Sequence, residues 1–303
     1  MNLSRRDLLK IGGTTAAFIA LGGNALGSED FSGNSERLGM LSDTTKCIGC
    51  RRCEKACNKS NKLPTSIKSF EDTSVFDEER KPYVVDVQSY TVVNKYNVDG
   101  KIVFRKAQCM HCDEPACATA CPVGALKKSK EGAVTWNQKV CIGCRYCMVA
   151  CPFHIPAFEY SSAFDPKIQK CFMCYERIKD GIIPACAEAC PVEAITFGKK
   201  SELLKAAKLR IWSNPDKYLD HVYGEYEAGG TCWMYISDTD FSKLGFPEGV
   251  GTTSYPKLTK DFLSMVNLTL ISLPALLGGF YIACHKKDEE KKEESQQINE
   301  VKS

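Results

Sequence analysis

A run of four cysteines constrains this chain more than any other feature of its sequence. Residues Cys141 to Pro152 read Cys-Ile-Gly-Cys-Arg-Tyr-Cys-Met-Val-Ala-Cys-Pro, which is the spacing C-x2-C-x2-C-x3-C-P. This spacing is typical of loops in which three thiolates hold one [4Fe–4S] cluster while the fourth reaches a neighbouring cluster. A single run of this kind therefore predicts a partner run elsewhere in the chain.

Cysteine is the abnormal residue of the composition, with 18 copies among 303 residues. Sixteen of them form four groups, numbered as motifs one to four: Cys47 to Cys57, Cys109 to Cys121, Cys141 to Cys151 and Cys171 to Cys190. Disulfide scaffolds are shorter chains with scattered cysteines, whereas these groups repeat a C-x2-C unit that points to metal. Every group has a third and a fourth cysteine and three end in Cys-Pro, which favours iron–sulfur clusters over zinc.

The cysteine motifs are copies of one design. Cys47 to Cys53 reads Cys-Ile-Gly-Cys-Arg-Arg-Cys and recurs almost unchanged from Cys141 to Cys147. The pattern Pro-Ala-Cys-Ala that begins at Pro115 recurs at Pro184. Such internal repetition indicates duplication of a structural unit. The sequence therefore predicts an α+β fold whose core is a duplicated bacterial 2[4Fe–4S] ferredoxin.

The reach of the fourth cysteine makes the expected ligation crossed between motifs. The duplication favours motifs two and three as one unit, and motifs one and four as the other. The expected ligands are Cys47, Cys50, Cys53 and Cys190 for set 1; Cys171, Cys174, Cys186 and Cys57 for set 2; Cys109, Cys112, Cys117 and Cys151 for set 3; and Cys141, Cys144, Cys147 and Cys121 for set 4. Four [4Fe–4S] clusters are the cofactors that this arrangement predicts.

The N-terminus resembles an export signal. Arg5 and Arg6 precede an uncharged stretch rich in glycine, alanine and threonine, and Ala25-Leu26-Gly27 offers a small-residue cleavage site. We expect residues 1–27 to form a twin-arginine signal, although a retained basic helix or a membrane anchor are alternatives. The twin-arginine route carries folded proteins, which suits a chain that receives its clusters in the cytoplasm. A polar linker is expected at 28–38.

The four-cluster domain is expected at 39–200, with a β-rich insertion at 63–106. A β-type composition predicts its strands, and Asn97-Val98-Asp99-Gly100 supplies the turn between the last two. The expected strands are Tyr83 to Val87, Thr91 to Tyr96 and Lys101 to Arg105, and a further short hairpin joins Gly124 to Leu126 with Gly132 to Thr135. The insertion is expected to pack beside the cluster core and to face a partner subunit.

The C-terminal third contains an extension and an apolar run. We expect a helix from Ser201 to Trp212 and a strand from Thr231 to Ser237, within an extension at 201–261 that packs on the core or on a partner. Residues 262–284 contain no charged residue, which predicts a transmembrane helix, the alternative being a buried amphipathic helix. Lysines that follow this run place the charged tail at 285–303 in the cytoplasm.

The remaining candidates have weaker signals. His111 and His154 lie beside cysteine motifs and could tune a cluster, but a packing or surface role is the simpler interpretation. Cys232 and Cys284 fall outside the motifs, and we expect them to be a core cysteine and a membrane-helix cysteine. No nucleophile with a base, no nucleotide fingerprint and no basic stripe is visible, and the net charge is only +3. The sequence thus gives no sign of catalysis or of nucleic-acid binding.

Taken together, the motifs resemble the four-cluster iron–sulfur subunits of the dimethyl sulfoxide reductase family. The stretches most similar to the membrane-anchored subunit of periplasmic, quinone-linked [NiFe] hydrogenases are Leu38-Gly39-Met40-Leu41, Gln108 to Cys112, Cys144 to Pro152 and Tyr223-Gly224-Glu225. That subunit similarly combines a twin-arginine signal with a C-terminal membrane helix.

The resemblance implies a non-catalytic electron-transfer subunit. Its partners would be the small and large subunits of a hydrogenase and an integral membrane quinone-reactive subunit, at the periplasmic face of the bacterial inner membrane. An iron–sulfur subunit of a formate dehydrogenase or another molybdopterin enzyme is the alternative within the class. A metal-stabilised membrane anchor that transfers no electrons is the alternative from another class.

Overall fold

The computed structural model describes residues 36–64, 69–76, 85–162 and 167–259, together with 265, 269–270, 272–282 and 284–286. The chain divides into two compact units, Met1–Ser254 and Tyr255–Ser303. The expected signal at 1–27, with Arg5 and Arg6, and most of the expected linker lie outside the described residues. So do the first two residues of the strand expected at Tyr83 to Val87, of which 85–87 form no strand.

The described part of the first unit mixes short helices with short strands. Its strands are β1 Leu38–Asp43, β2 Val92–Val98, β3 Lys101–Ala107, β4 Leu126–Lys128, β5 Val134–Trp136, β6 Ala157–Phe158, β7 Ile168–Gln169, β8 Ile195–Lys199 and β9 Trp233–Ile236. Its α-helices are α1 Arg52–Asn61, α2 Ala116–Thr119, α3 Tyr146–Ala150, α4 Tyr175–Lys179, α5 Ala185–Glu188 and α6 Lys200–Ser213.

A three-stranded sheet in the order β8-β1-β9 joins the start of the unit to its end. Strand β1 pairs antiparallel with β8 and parallel with β9. One face of this sheet carries Leu41, Met234 and Ile236, which pack against helix α6. The other face carries Met40, Trp233 and Tyr235, which pack against the cysteine-bearing core. Alternate residues of a strand point to opposite faces, so β1 and β9 each serve both layers.

Helix α6 confirms the helix expected at Ser201 to Trp212. Its buried residues Leu203, Ala207 and Ile211 recur at intervals of four and form the stripe that faces the sheet. Burying a leucine or isoleucine side chain of this kind stabilises the fold by roughly 1.5–3 kcal/mol. The helix therefore covers one face of the sheet, while the other face packs against the cysteine-bearing core.

The hairpins follow the turn chemistry of the sequence. Strands β2 and β3 pair from Val92↔Ala107 to Val98↔Lys101 around Asp99 and Gly100, both of which have positive φ. Positive φ at both turn positions matches the right-handed twist of the flanking strands. Strands β4 and β5 form the second expected hairpin, and β6 pairs with β7.

The sequence duplication is also a duplication of backbone conformation. Arg51 and Arg145 occupy equivalent positions before helices α1 and α3, and both are left-handed. Helices α2 and α5 both begin after a proline, at Pro115 and Pro184. Helix α1 packs against α5, and α2 packs against α3. A helix of motif one thus packs against a helix of motif four, and a helix of motif two packs against a helix of motif three.

The second unit is described only in part. Residues 255–259 and 272–282 are helical, and Leu273, Leu276, Leu277 and Phe280 expose more than half of their surface. The expected membrane span at 262–284 includes 262–264, 266–268, 271 and 283, which lie outside the described residues. Among the residues that the structure does describe, no helix combines the length and apolar character needed to cross a bilayer.

Candidate iron–sulfur centres

The cysteines of motifs one and four line two cavities. The first, of about 400 Å³ including its opening to solvent, is lined by all four thiols of set 1. The second, of about 340 Å³ on the same basis, is lined by all four thiols of set 2. Each cavity thus combines three cysteines of one motif with the last cysteine of the other, as the spacing predicts.

The cysteines of motifs two and three gather in the same crossed manner. Cys112 lies close enough to Cys109, Cys117 and Cys151 for their charges to act on its pKa. Cys147 has the same relation to Cys121, Cys141 and Cys144. The structure therefore brings all sixteen motif thiols together in four sets, and binding of one cluster by each set stays a prediction.

The four sets follow one another in an unbroken order. Cys53 of set 1 lies close enough to Cys186 of set 2 for the charge of Cys186 to act on its pKa. Cys171 of set 2 has the same relation to Cys109 of set 3. Cys117 of set 3 has the same relation to Cys147 of set 4. Each set therefore neighbours the next, in the order 1, 2, 3, 4.

Exposure differs between the ends and the middle of this series. Three thiols of set 2 and three of set 3 belong to buried residues: Cys57, Cys171, Cys186, Cys109, Cys117 and Cys151. In set 1 no cysteine is fully buried, and in set 4 Cys144 is exposed. Nonpolar side chains such as Tyr90, Phe172 and Trp233 complete the wall of the set 2 cavity. The inner sets are thus shielded from water, while the outer sets approach the surface.

Backbone amides point at the cysteine sulfurs in a repeated pattern. The amide two residues after the first cysteine of motifs two and four donates to its sulfur, from His111 to Cys109 at 3.4 Å and from Met173 to Cys171 at 3.3 Å. The amides of Ala125 and Ala194 donate to the last cysteines, Cys121 and Cys190, at 3.2 and 3.3 Å. Such hydrogen bonds favour negative charge on sulfur and tune iron–sulfur potentials.

Burial disfavours ionisation of these thiols. Desolvation raises the pKa of Cys47 to about 11, against the opposing effect of the Gly49 amide, and raises the pKa of Cys171 to about 12. The thiolate is the metal-binding form, so metal binding must displace protons from these sites. A positively charged metal core bound at these sites would replace those protons.

The donor set fits an iron–sulfur cluster. Every set consists of soft thiol ligands alone, and those of sets 1 and 2 line cavities. Within the described ranges, no three His, Cys, Asp or Glu side chains converge in a way suited to a single metal ion. A cluster, when bound, supplies one-electron chemistry, and the chain supplies its ligands, hydrogen bonds and shielding.

The remaining candidate residues lie beside the sets and not within them. His111 is fully buried, and desolvation holds its pKa well below the usual range. Its Nδ1 accepts a hydrogen bond from the Val134 amide at 2.9 Å, so the neutral ring is part of the packing. His154 is exposed, and Cys232 is a buried cysteine of the core, as expected.

Buried lysines are the residues that the sequence did not indicate. Lys106 and Lys170 are 3% and 1% exposed, and each lies among cysteines. Lysine is almost never fully buried without a partner, so a lysine in a strand is normally assigned to the surface. Only the position of Lys170 directly before Cys171 offered a signal.

Comparison with known proteins agrees with this arrangement. Residues 46–125 and residues 100–200 each match a family model described as a 4Fe-4S dicluster domain. Hydrogenase-2 operon protein HybA of Escherichia coli O157:H7 is 36% identical over 241 residues, which cover 70% of this chain and 73% of that protein. The chain belongs to the 4Fe-4S dicluster family of iron–sulfur subunits.

Two further proteins are similar to this chain over most of their length. A protein of Nitratidesulfovibrio vulgaris is 48% identical over 289 residues, 94% of this chain and 77% of that protein. The nitrate-inducible formate dehydrogenase iron-sulfur subunit of Escherichia coli K12 is 36% identical over 206 residues, 66% of this chain and 67% of that protein. The resemblance to iron–sulfur subunits that the motifs indicated, and to HybA in particular, is confirmed.

Proposed function

We propose that this dicluster chain relays electrons through four [4Fe–4S] clusters between a periplasmic [NiFe] hydrogenase and a membrane quinone-reactive subunit. The observation that carries the proposal is the unbroken order of the four thiol sets, with shielded sets in the middle and more exposed sets at the ends. A relay needs this arrangement, because electrons must enter and leave at the surface while the inner carriers stay protected.

The chain's own residues have distinct tasks in such a relay. The cysteine thiolates bind the clusters. Backbone amides favour negative charge on the cysteine sulfurs, and they belong to His111, Met173, Ala125 and Ala194. The aromatic side chains of Tyr90, Phe172 and Trp233 in the wall of the set 2 cavity limit the solvent exposure that would alter its potential. No group of this chain needs to act on a substrate.

The relay is tested on anaerobically purified protein. We expect about sixteen iron atoms per chain, four for each cluster, and electron paramagnetic resonance signals from reduced clusters after dithionite treatment. Hydrogen together with the partner hydrogenase should reduce the same clusters. Iron well below this content, or clusters that no partner enzyme reduces, would leave only the reading of a metal-stabilised membrane anchor.

A formate dehydrogenase partner is the second candidate. This candidate is supported by the similarity to the formate dehydrogenase iron-sulfur subunit, which is 36% identical to this chain, as HybA is. The two candidates separate by co-purification and by the electron donor. Reduction of the clusters by hydrogen with a nickel-containing partner supports the hydrogenase, whereas reduction by formate with a molybdopterin partner supports the alternative.

For its location, we propose that the chain is exported with its clusters to the periplasmic face of the bacterial inner membrane. The twin-arginine pattern at Arg5 and Arg6 supports export. The uncharged run at 262–284 supports attachment by a single membrane span, with the tail at 285–303 in the cytoplasm. The exposed apolar side chains of Leu273, Leu276 and Phe280 are consistent with a lipid environment.

Export and attachment are tested separately. Replacement of both Arg5→Lys and Arg6→Lys should retain the loaded protein in the cytoplasm, and continued export would contradict a signal on this chain. Removal of residues 262–303 should release the exported protein from the membrane fraction. If that shortened protein stays bound, a partner subunit holds it there.

A further inference from the structure

Lys106 lies between two of the cysteine sets. Its side chain contributes to the wall of the set 1 cavity and to the wall of the set 2 cavity. It is 3% exposed, and its strand β3 pairs with β2 at Val93↔Lys106. A buried ammonium loses its hydration at a cost of several kcal/mol, which the surrounding structure must offset.

The contacts of Lys106 favour a cation but supply no full negative charge. Its Nζ donates to Gln108 Oε1 at 3.0 Å and lies 4.3 Å from the centre of the Trp233 ring. Among the residues that the structure describes, no carboxylate forms an ion pair with Lys106. Glu54, a buried carboxylate whose pKa desolvation raises against the opposing effect of Lys106, is paired with Arg51 at 2.9 Å.

A connected set of buried side chains holds Lys106 in this place. Gln108 donates through Nε2 to Tyr235 Oη, and Tyr235 Oη donates to the Lys106 carbonyl at 2.7 Å. Gln108 is 1% exposed and Tyr235 is fully buried. The ammonium is thus positioned by the fold, and its distance from both cavities does not vary as that of a surface lysine would.

The missing negative charge is that of the bound clusters. Four thiolates outweigh the positive charge of the iron–sulfur core, so each loaded site is net negative, and reduction by one electron makes it more so. A nearby cation therefore stabilises the reduced form more than the oxidised form, and net charge is one of the determinants of cluster potential.

We propose that the Lys106 ammonium acts on the clusters of both set 1 and set 2. It stabilises the reduced form of each cluster, so that both reduction potentials are raised. The inference rests on the proposed function only in requiring that clusters occupy both cavities. Electrons would then be held preferentially at this pair of carriers within the series.

Lys128 provides a matched control. Its Nζ is held by the carbonyls of His111 and Gly132 at 2.8 and 2.7 Å. It is absent from the described walls of both cavities, and its charge acts to lower the pKa of Cys112 in set 3. Loss of its charge should therefore leave the clusters of sets 1 and 2 unchanged.

The test is a redox titration of the full-length protein, followed by electron paramagnetic resonance. Lys106→Met and Lys106→Gln remove the charge, Lys106→Arg retains it, and Lys128→Met is the control. Signals of sets 1 and 2 are assigned with Cys50→Ser and Cys174→Ser. We expect both neutral variants at Lys106 to lower the midpoint potentials of these two clusters, with the arginine variant close to the unchanged protein.

Each outcome decides the proposal. Unchanged potentials in loaded neutral variants, or an equal shift of all clusters, would overturn it. If the neutral variants lose the two clusters while Lys106→Arg keeps them, the cation acts on assembly and not on the potentials, and the proposal is overturned. If Lys106→Arg loses them too, the role of Lys106 is steric and the proposal is wrong. Absence of clusters from the unchanged protein would instead refute the proposed function.

Discussion

Asp43 shows how a single buried charge can join distant parts of this fold. It lies at the end of β1 and is 1% exposed. Its carboxylate accepts hydrogen bonds from Arg210 Nη1 at 2.9 Å, from Tyr218 Oη at 2.9 Å and from the amide and hydroxyl of Thr45. A buried carboxylate is tolerated only when its oxygens are satisfied in this way. Each donor therefore contributes to stability through Asp43.

Removal of one donor to Asp43 should be measurable. We expect Tyr218→Phe to lower the free energy of unfolding by about 1.5–3 kcal/mol, the usual worth of a hydrogen bond to a charged group. The measurement is urea unfolding under anaerobic conditions, followed by circular dichroism. Tyr160→Phe is the control, because Tyr160 is 71% exposed. Equal stability of the two variants would contradict the role given to the Tyr218 hydroxyl.

At the level of elements, the two hairpin turns differ in how closely they approach the rest of the fold. Gly100, between β2 and β3, has a φ of 85° and open space where a Cβ would be. Gly132, between β4 and β5, has a φ of 106°, and a Cβ there would lie 2.7 Å from the carbonyl oxygen of Leu38. The second hairpin is thus docked on β1, whereas the first leaves open space beside Gly100.

The two glycines predict different costs for the same substitution. Gly100→Ala should cost about 1–3 kcal/mol through backbone strain alone. Gly132→Ala should cost more, because strain is joined by a clash that only movement of β1 or of the hairpin can relieve. Midpoints of urea unfolding compare the variants directly. A Gly132→Ala midpoint at or above that of Gly100→Ala would show that the hairpin is not docked as described.

The elements also show where sequence patterns are reliable. Helix α6 was predicted because its apolar residues recur at helical spacing, and β2, β3 and β9 because β-branched and aromatic residues cluster there. Strand β1 was not predicted. Five of its six residues are buried, so it lacks the alternation by which a half-buried strand is recognised, and a short buried run is ambiguous without its neighbours.

At the level of the whole molecule, the crossed sets connect segments far apart in the chain. Cys57 meets three cysteines of motif four, and Cys190 meets the first three cysteines of motif one. Bound clusters would therefore join the beginning of the domain to its end, in addition to the β8-β1-β9 sheet. Because metal binding to such sites contributes to folding, removal of iron should affect the whole unit.

Crossed ligation predicts which cysteine variants resemble one another. We expect Cys151→Ser to perturb the same electron paramagnetic resonance signal as Cys109→Ser, and Cys141→Ser to perturb a different one. Cys232→Ser is the control, since Cys232 is buried but belongs to none of the four sets. If Cys151→Ser and Cys141→Ser perturb one common signal, motif three binds a single cluster and the ligation is not crossed.

Local spacing was enough to indicate the chemistry of this protein, because motifs one and three each place three cysteines within seven residues, the spacing typical of a cluster-binding loop. The same spacing, with the rule for the fourth cysteine and the internal duplication, predicted the membership of the four sets. Their order along the molecule and the unequal exposure of the ends came only from long-range packing. The burial of Lys106 between sets 1 and 2 did so as well, because a lysine's environment depends on strands and loops that are distant in sequence.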